Sequence, residues 1–160
     1  MLIFGVDPGL ATVGVGVIEA RKGRYRALEY GAIKTKPRQL FEDRLSQIYD
    51  GISDIISRHK PDCMAVEELF FNTNAKTALD VAQARGVILL AARRQGIDVY
   101  EYTPLQVKLS VVGYGRAEKS QVIYMTKLML NLKESPKPDD TADALAIAIC
   151  HGNVIMHNYS

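Results

Sequence analysis

Four carboxylates fall in three separated places along a chain of 160 residues. Asp7 ends the apolar run Leu2-Ile3-Phe4-Gly5-Val6, and Glu67 ends a second run, Cys63-Met64-Ala65-Val66. Asp140 and Asp143 stand three residues apart at the start of an alanine-rich stretch. An acid at the end of a buried element costs free energy unless it is paired or metal-bound. If the three places converge, an oxygen-only donor set results, which suits Mg²⁺ or Mn²⁺. Two such ions about 3.5–4 Å apart can activate a water and stabilise the leaving oxygen of a phosphodiester. Acids held that close repel one another, so a bound metal should also stabilise the fold. Each acid alone has a plainer reading: a turn aspartate before Pro8-Gly9, a strand-end surface glutamate, a helix N-cap at Asp139 or Asp140. The set together is far harder to explain that way.

The elements that must position these acids follow from periodicity. Residues 2–7 read as a buried strand, and Thr12 to Ile18 alternates, with Val13, Val15 and Val17 on one face and Gly14 and Gly16 on the other. Glycines along one strand face admit close approach by another backbone or a ligand. A third strand, Arg24 to Lys34, completes an antiparallel meander. Leu45, Ile48, Ile52, Ile55 and Ile56 then recur at helical spacing between Pro37 and Pro61. A strand at 62–67, a helix at 75–95 and a strand at 98–102 follow. Helices are expected after Pro104, over 117–132 and over 139–151. This order predicts a mixed α/β sheet with helices on its faces. Strand parity places Asp7 and Glu67 on one face and Glu68 on the other, while i, i+3 spacing puts Asp140 and Asp143 on one helix face.

The length suits one domain spanning 1–160, and 48% hydrophobic residues suit a globular chain. No apolar run approaches the ~20 residues that span a bilayer, and no leader pattern precedes Leu2, so a cytoplasmic, non-membrane protein is expected. Two cysteines outside any CxxC and three scattered histidines read as structural. The net charge is only +2, but basic residues dominate two segments. Lys76, Arg85, Arg93 and Arg94 face only Asp80. Lys108, Arg116, Lys119, Lys127 and Lys133 face only Glu118. Basic segments beside an acidic cluster suit a polyanion held while a metal acts on one phosphate. Gly113-Tyr114-Gly115-Arg116 lacks Walker spacing and feeds a helix start where a phosphate could be held. Phe70-Phe71-Asn72-Thr73-Asn74 reads either as core or as a base-stacking platform.

Five motifs occur in order: Ile3-Phe4-Gly5-Val6-Asp7-Pro8-Gly9, Ala65-Val66-Glu67-Glu68-Leu69-Phe70, Gln83-Ala84-Arg85-Gly86, Val111 to Lys119, and Asp140-Thr141-Ala142-Asp143-Ala144-Leu145-Ala146. On them the chain resembles the RuvC family of bacterial Holliday-junction resolvases over essentially its whole length. The resemblance implies a ribonuclease H-like fold with a mixed five-stranded sheet. It also implies a homodimer that nicks two opposing strands of a four-way DNA junction, leaving 5′-phosphate ends. Asp7, Glu67, Asp140 and Asp143 would then be the catalytic and metal-binding acids, for two Mg²⁺ ions with Mn²⁺ substituting. Phe70 would stack on a base near the junction centre, and Lys108 and Lys119 would lie at the active site or DNA surface. With Lys76, Arg85 and Arg116 they make the expected DNA-binding set. The small-residue seam Ala75, Ala78, Ala82 and Gly86 would help form the dimer contact, and RuvA and RuvB would be partners.

Three alternatives compete. An actin-like or sugar-kinase ATPase begins similarly but needs two such domains around its nucleotide. A RuvC-like nuclease acting on RNA fits the Phe70 loop and the Asp140/Asp143 pair less well. A catalytically dead DNA-binding module has no use for four acids in register with a metal site.

Overall fold

The computed structural model describes residues 1–69 and 75–158. Its sheet has five strands in the order β3-β2-β1-β4-β5. These are β1 (Leu2–Asp7), β2 (Thr12–Arg21), β3 (Arg24–Lys34), β4 (Cys63–Glu67) and β5 (Asp98–Tyr102). β1, β2 and β3 pair antiparallel, whereas β4 joins β1 in parallel and β5 joins β4 in parallel. The mixed sheet that the meander and the later alternation of helix and strand imply is the one observed. β2 runs three residues past its expected end because the hairpin turn is tight. Lys22 (φ 48°) and Gly23 (φ 78°) both take positive φ, which matches the twist of the strands they join.

Helices cover both faces. On one, α1 (Phe41–His59) and α2 (Ala75–Arg94) lie against Phe4, Val6, Val13, Val15, Val17, Met64 and Val66. Ile48, Ile52, Ile55 and Ile56 supply the α1 stripe, and each isoleucine buried contributes ~1.5–3 kcal/mol. On the other face lie α3 (Pro104–Val112), α4 (Lys119–Met129) and α5 (Asp139–Asn158), packed on Ile3, Ile18, Cys63 and Ala65. Cys63 and Cys150 are free and buried there. No described helix is long and apolar enough to cross a membrane.

The glycines of β1 and β2 explain how α5 lies on the sheet. A Cβ at Gly5 would collide with the Ala144 carbonyl oxygen, one at Gly14 with the Asp140 carbonyl oxygen, and one at Gly16 with the Leu145 side chain. The close approach expected of that strand face is therefore made by the backbone of α5. Ala142, Ala144, Ala146 and Ala148 are all buried along it. α5 also continues past its expected end at His151. Gly152 and Asn153 are weak helix formers, but Gly152 lies under the Tyr25 ring and Asn153 accepts a hydrogen bond from the Tyr25 hydroxyl at 2.6 Å. Asn153 Nδ2 also donates to Ser110 Oγ at 3.0 Å, so tertiary contacts carry the helix through its weak point.

Candidate active site

β1 and β4 run parallel with Gly5 beside Ala65 and Val6 beside Val66, so their next residues, Asp7 and Glu67, end neighbouring strands. Alternation sends Phe4, Val6, Met64 and Val66 to the α1/α2 face and leaves Asp7 and Glu67 on the α5 face. Gly14 pairs with Asp7 across β1 and β2, and its missing side chain lets the Asp140 backbone approach. The first turns of α5 then carry Asp140 and Asp143 toward the same strand ends. Asp7 lies within electrostatic reach of Glu67, Asp143 and Asp140, so the structure brings all four acids together. Glu68 is exposed, and its amide donates to the Tyr102 carbonyl at 2.9 Å. Asp139 begins α5 as an exposed acid in its first turn and does not stand before the helix as a cap.

Crowding sets the protonation of the cluster. Burial first, then the charges of Glu67, Asp143 and Asp140, push the Asp7 carboxyl up to about 8, against a smaller opposing pull from Lys119. Glu67 is raised by burial and by Asp143, while the hydrogen bond it accepts from Asp7 opposes that rise. Burial raises Asp143 as well, countered by Lys119, whose Nζ lies 3.0 Å from its carboxylate. Burial alone would lower the Lys119 ammonium, but its hydrogen bond to Asp143 and the nearby Asp139 and Asp140 raise it overall. The raised carboxyls and the one ammonium thus offset only part of the cluster's negative charge. Among the described residues no three acids, histidines or cysteines are closed into a metal-ligating group. The donor chemistry nevertheless fits a hard divalent ion: four carboxylates bring oxygen alone, and their mutual repulsion is what a dication relieves.

A cleft of about 220 Å³ opens beside the cluster, lined by Glu67, Lys108, Lys119 and Asp143 with Pro104, Val107, Val122 and Ile147. Lys108 and Lys119 therefore flank the acids. Gly113, at φ 80°, ends α3, and Gln121 Oε1 accepts the Glu118 amide at 2.8 Å at the start of α4. That arrangement holds Lys119 at the cleft mouth. Lys76 and Arg116 are exposed. Arg85 is placed differently: its side chain is only 13% exposed, 2.6 Å from Glu101, with Nε donating to the Glu67 carbonyl at 3.3 Å. Phe70 and the loop through Asn74 lie outside the described residues. On α2, Ala78 is buried, whereas Gly86, Leu79 and Leu90 are open.

One residue of the site escaped the sequence reading. Thr141, fully buried between the two aspartates, donates from Oγ1 to the Gly31 carbonyl of β3 at 2.8 Å. It ties the acid-bearing end of α5 to the sheet edge. The signal was present, since a hydroxyl inside an alanine-rich packing face needs a buried acceptor.

Acids at the ends of adjoining central strands, completed by a helix crossing the sheet, define a ribonuclease H-like protein. Residues 3–151 match the family model described as Crossover junction endodeoxyribonuclease RuvC. The chain is 59% identical over 153 residues to the protein of that name from Halothermothrix orenii, covering 96% of this chain and 93% of the relative. It superposes on Thermus thermophilus RuvC with a TM-score of 0.92 at 37% identity, over 99% of this chain and 97% of that one. The T. thermophilus RuvC in complex with Holliday junction substrate gives 0.94 at 36% identity, over 99% and 96%. This chain belongs to the RuvC family.

Proposed function

We propose that this protein is a crossover junction endodeoxyribonuclease that resolves Holliday junctions by nicking two opposing strands, leaving 5′-phosphate and 3′-hydroxyl ends. The observation that carries this reading is the convergence of Asp7, Glu67, Asp140 and Asp143 beside a cleft flanked by Lys108 and Lys119. Family membership, and a relative solved with a Holliday junction, narrow the substrate.

The four acids would hold Mg²⁺, with Mn²⁺ substituting and two ions per site; bound there, the ions supply Lewis-acid stabilisation of charge on the phosphodiester oxygens. The chain's own groups do the remaining work. Lys108 and Lys119 face the cleft and neutralise the phosphate that enters it, and Lys119 exchanges its hold on Asp143 for that phosphate. Cations held there would oppose the burial and neighbouring charges that raise the Asp7 and Glu67 carboxyls, favouring their ionised forms. Lys76 and Arg116, both exposed, extend the phosphate contacts along the arms, and Phe70 stacks on a base at the junction centre.

A homodimer places two such sites on a nearly two-fold substrate. The open α2 face around Leu79, Gly86 and Leu90 supports that contact. RuvA and RuvB are the partners that family membership suggests.

The test compares a synthetic four-way junction with linear duplex, each with and without Mg²⁺. Cleavage confined to the junction and to Mg²⁺ is expected. Equal cleavage of linear duplex, or cleavage in chelator, would sink the reading.

A further inference from the structure

Arg85 was expected on the DNA surface, yet its guanidinium is turned inward. Its side chain is 13% exposed and lies between two partners on different strands: the Glu101 carboxylate of β5 at 2.6 Å, and the Glu67 backbone carbonyl of β4 at 3.3 Å. A planar fork with divergent donors suits that double task, and a flexible ammonium does not. Glu67 needs such a tie. Its carboxylate is driven into a cluster where Asp143 repels it, and the strand that carries it ends there. On one side the Glu68 amide donates to the Tyr102 carbonyl at 2.9 Å. On the α2 side Arg85 takes the carbonyl of Glu67 itself.

We propose that Arg85 is a positioning residue for the acid cluster: by clamping the Glu67 carbonyl to Glu101 it holds the end of β4 against carboxylate repulsion, so that Glu67 stays in register with Asp7 for metal binding. This rests on the metal-site reading above. It removes Arg85 from the DNA-contacting set and assigns it to the affinity of the site for its ion. Partners that orient metal ligands are worth roughly 10–100-fold in metal affinity or activity.

The experiment measures Mn²⁺ binding to the free full-length protein by calorimetry, and junction binding in Ca²⁺ across a salt series. The proteins are wild type, Arg85→Gln, Arg85→Lys, Glu101→Gln and the Arg85→Gln/Glu101→Gln double variant. Arg85→Gln should weaken Mn²⁺ binding about tenfold. Junction affinity and its salt slope should stay at wild-type values. Arg85→Lys keeps the charge but loses the fork, so it should also bind Mn²⁺ more weakly. Glu101→Gln should shift Mn²⁺ binding the same way by less, and the double variant should be no worse than Arg85→Gln.

A salt slope reduced by about 0.9, the loss of one phosphate contact, with Mn²⁺ binding unchanged would overturn the proposal. So would full Mn²⁺ affinity in Arg85→Lys. Should Arg85→Gln fail to fold, Glu101→Gln decides: unchanged Mn²⁺ affinity there refutes the clamp. If wild type itself binds no Mn²⁺, the metal reading falls and the clamp falls with it. If wild type and Arg85→Gln bind equally, only the clamp falls.

Discussion

The two faces of the central sheet are packed by opposite means. Against α1 and α2, the sheet presents Val13, Val15, Val17, Met64 and Val66 to a stripe of isoleucines, and side chains fill the space between layers. Against α5 it presents Gly5 and Gly14, where backbone meets backbone, and Gly16, which receives the Leu145 side chain. The first arrangement is ordinary interdigitation, which tolerates exchange among apolar residues of similar size. The second forbids even a methyl group, because the obstacle at Gly5 and Gly14 is a carbonyl of α5 that cannot rotate away. The difference shows where position matters. One face holds the fold together, and the other also sets how near Asp140 and Asp143 come to Asp7 and Glu67.

That contrast breaks first at the acids. Asp7→Asn should reduce junction cleavage on the order of 10²–10³-fold, because it removes a ligand of the ions that stabilise transition-state charge. Junction affinity in Ca²⁺ should be retained. Normal cleavage by this variant would mean that the glycine face positions nothing of consequence.

A sharper comparison sets Gly14→Ala against Ile52→Val. Forcing a methyl against the Asp140 carbonyl should cost about 1–3 kcal/mol and, by shifting α5, weaken Mg²⁺ activation of cleavage. Ile52→Val, on the opposite face, should cost about 0.5–1.5 kcal/mol while the rate per folded molecule stays at wild type. Denaturant melts paired with Mg²⁺-dependence curves read both. If the two variants affect Mg²⁺ dependence alike, the asymmetry between the faces is only structural.

Linkage to pH gives a third measure. The Asp7 carboxyl is raised from 3.8 to about 8, so between those values the folded chain holds a proton that the unfolded chain releases. Without divalent ions stability should therefore fall as pH rises from about 4 to about 8, by about 2–4 °C in Tm for each kcal/mol lost. Mg²⁺, competing with that proton, should stabilise more at pH 8 than at pH 6. Asp7→Asn should flatten the trend. An unchanged slope in that variant would place the titration elsewhere.

The smallest effect expected is at Lys119. Lys119→Ala should lower the salt slope of junction binding by about 0.9, one phosphate contact. It also removes the partner 3.0 Å from Asp143, so Mg²⁺ binding should change by less than in Gly14→Ala. An unchanged salt slope would confine Lys119 to the acid cluster.

Much of this was legible in the residues. The alternation Val13, Val15, Val17 against Gly14, Gly16 states which face of β2 is filled and which is left bare. The parity of two short apolar runs selects Glu67 over Glu68 as the neighbour of Asp7. The isoleucine spacing of α1 gives its buried stripe. A basic residue in a basic segment looks the same whether it meets phosphate or an internal carboxylate, so sequence alone does not pair Arg85 with Glu101. Only the pairing of β4 with β5 brings Glu101 within its reach. Thr141 went unnoticed for the same reason, since its acceptor lies 110 residues away at Gly31.

The sequence by itself determined the elements, their buried faces and the choice of four acids, because periodicity and residue size are local properties of the chain. Only the tertiary structure decided that α5 rests on bare glycine backbone, that burial and neighbouring acids raise the Asp7 carboxyl, and that Arg85 bonds the strand end from inside. Those depend on contacts between residues far apart in the chain, where approach, charge and burial act together.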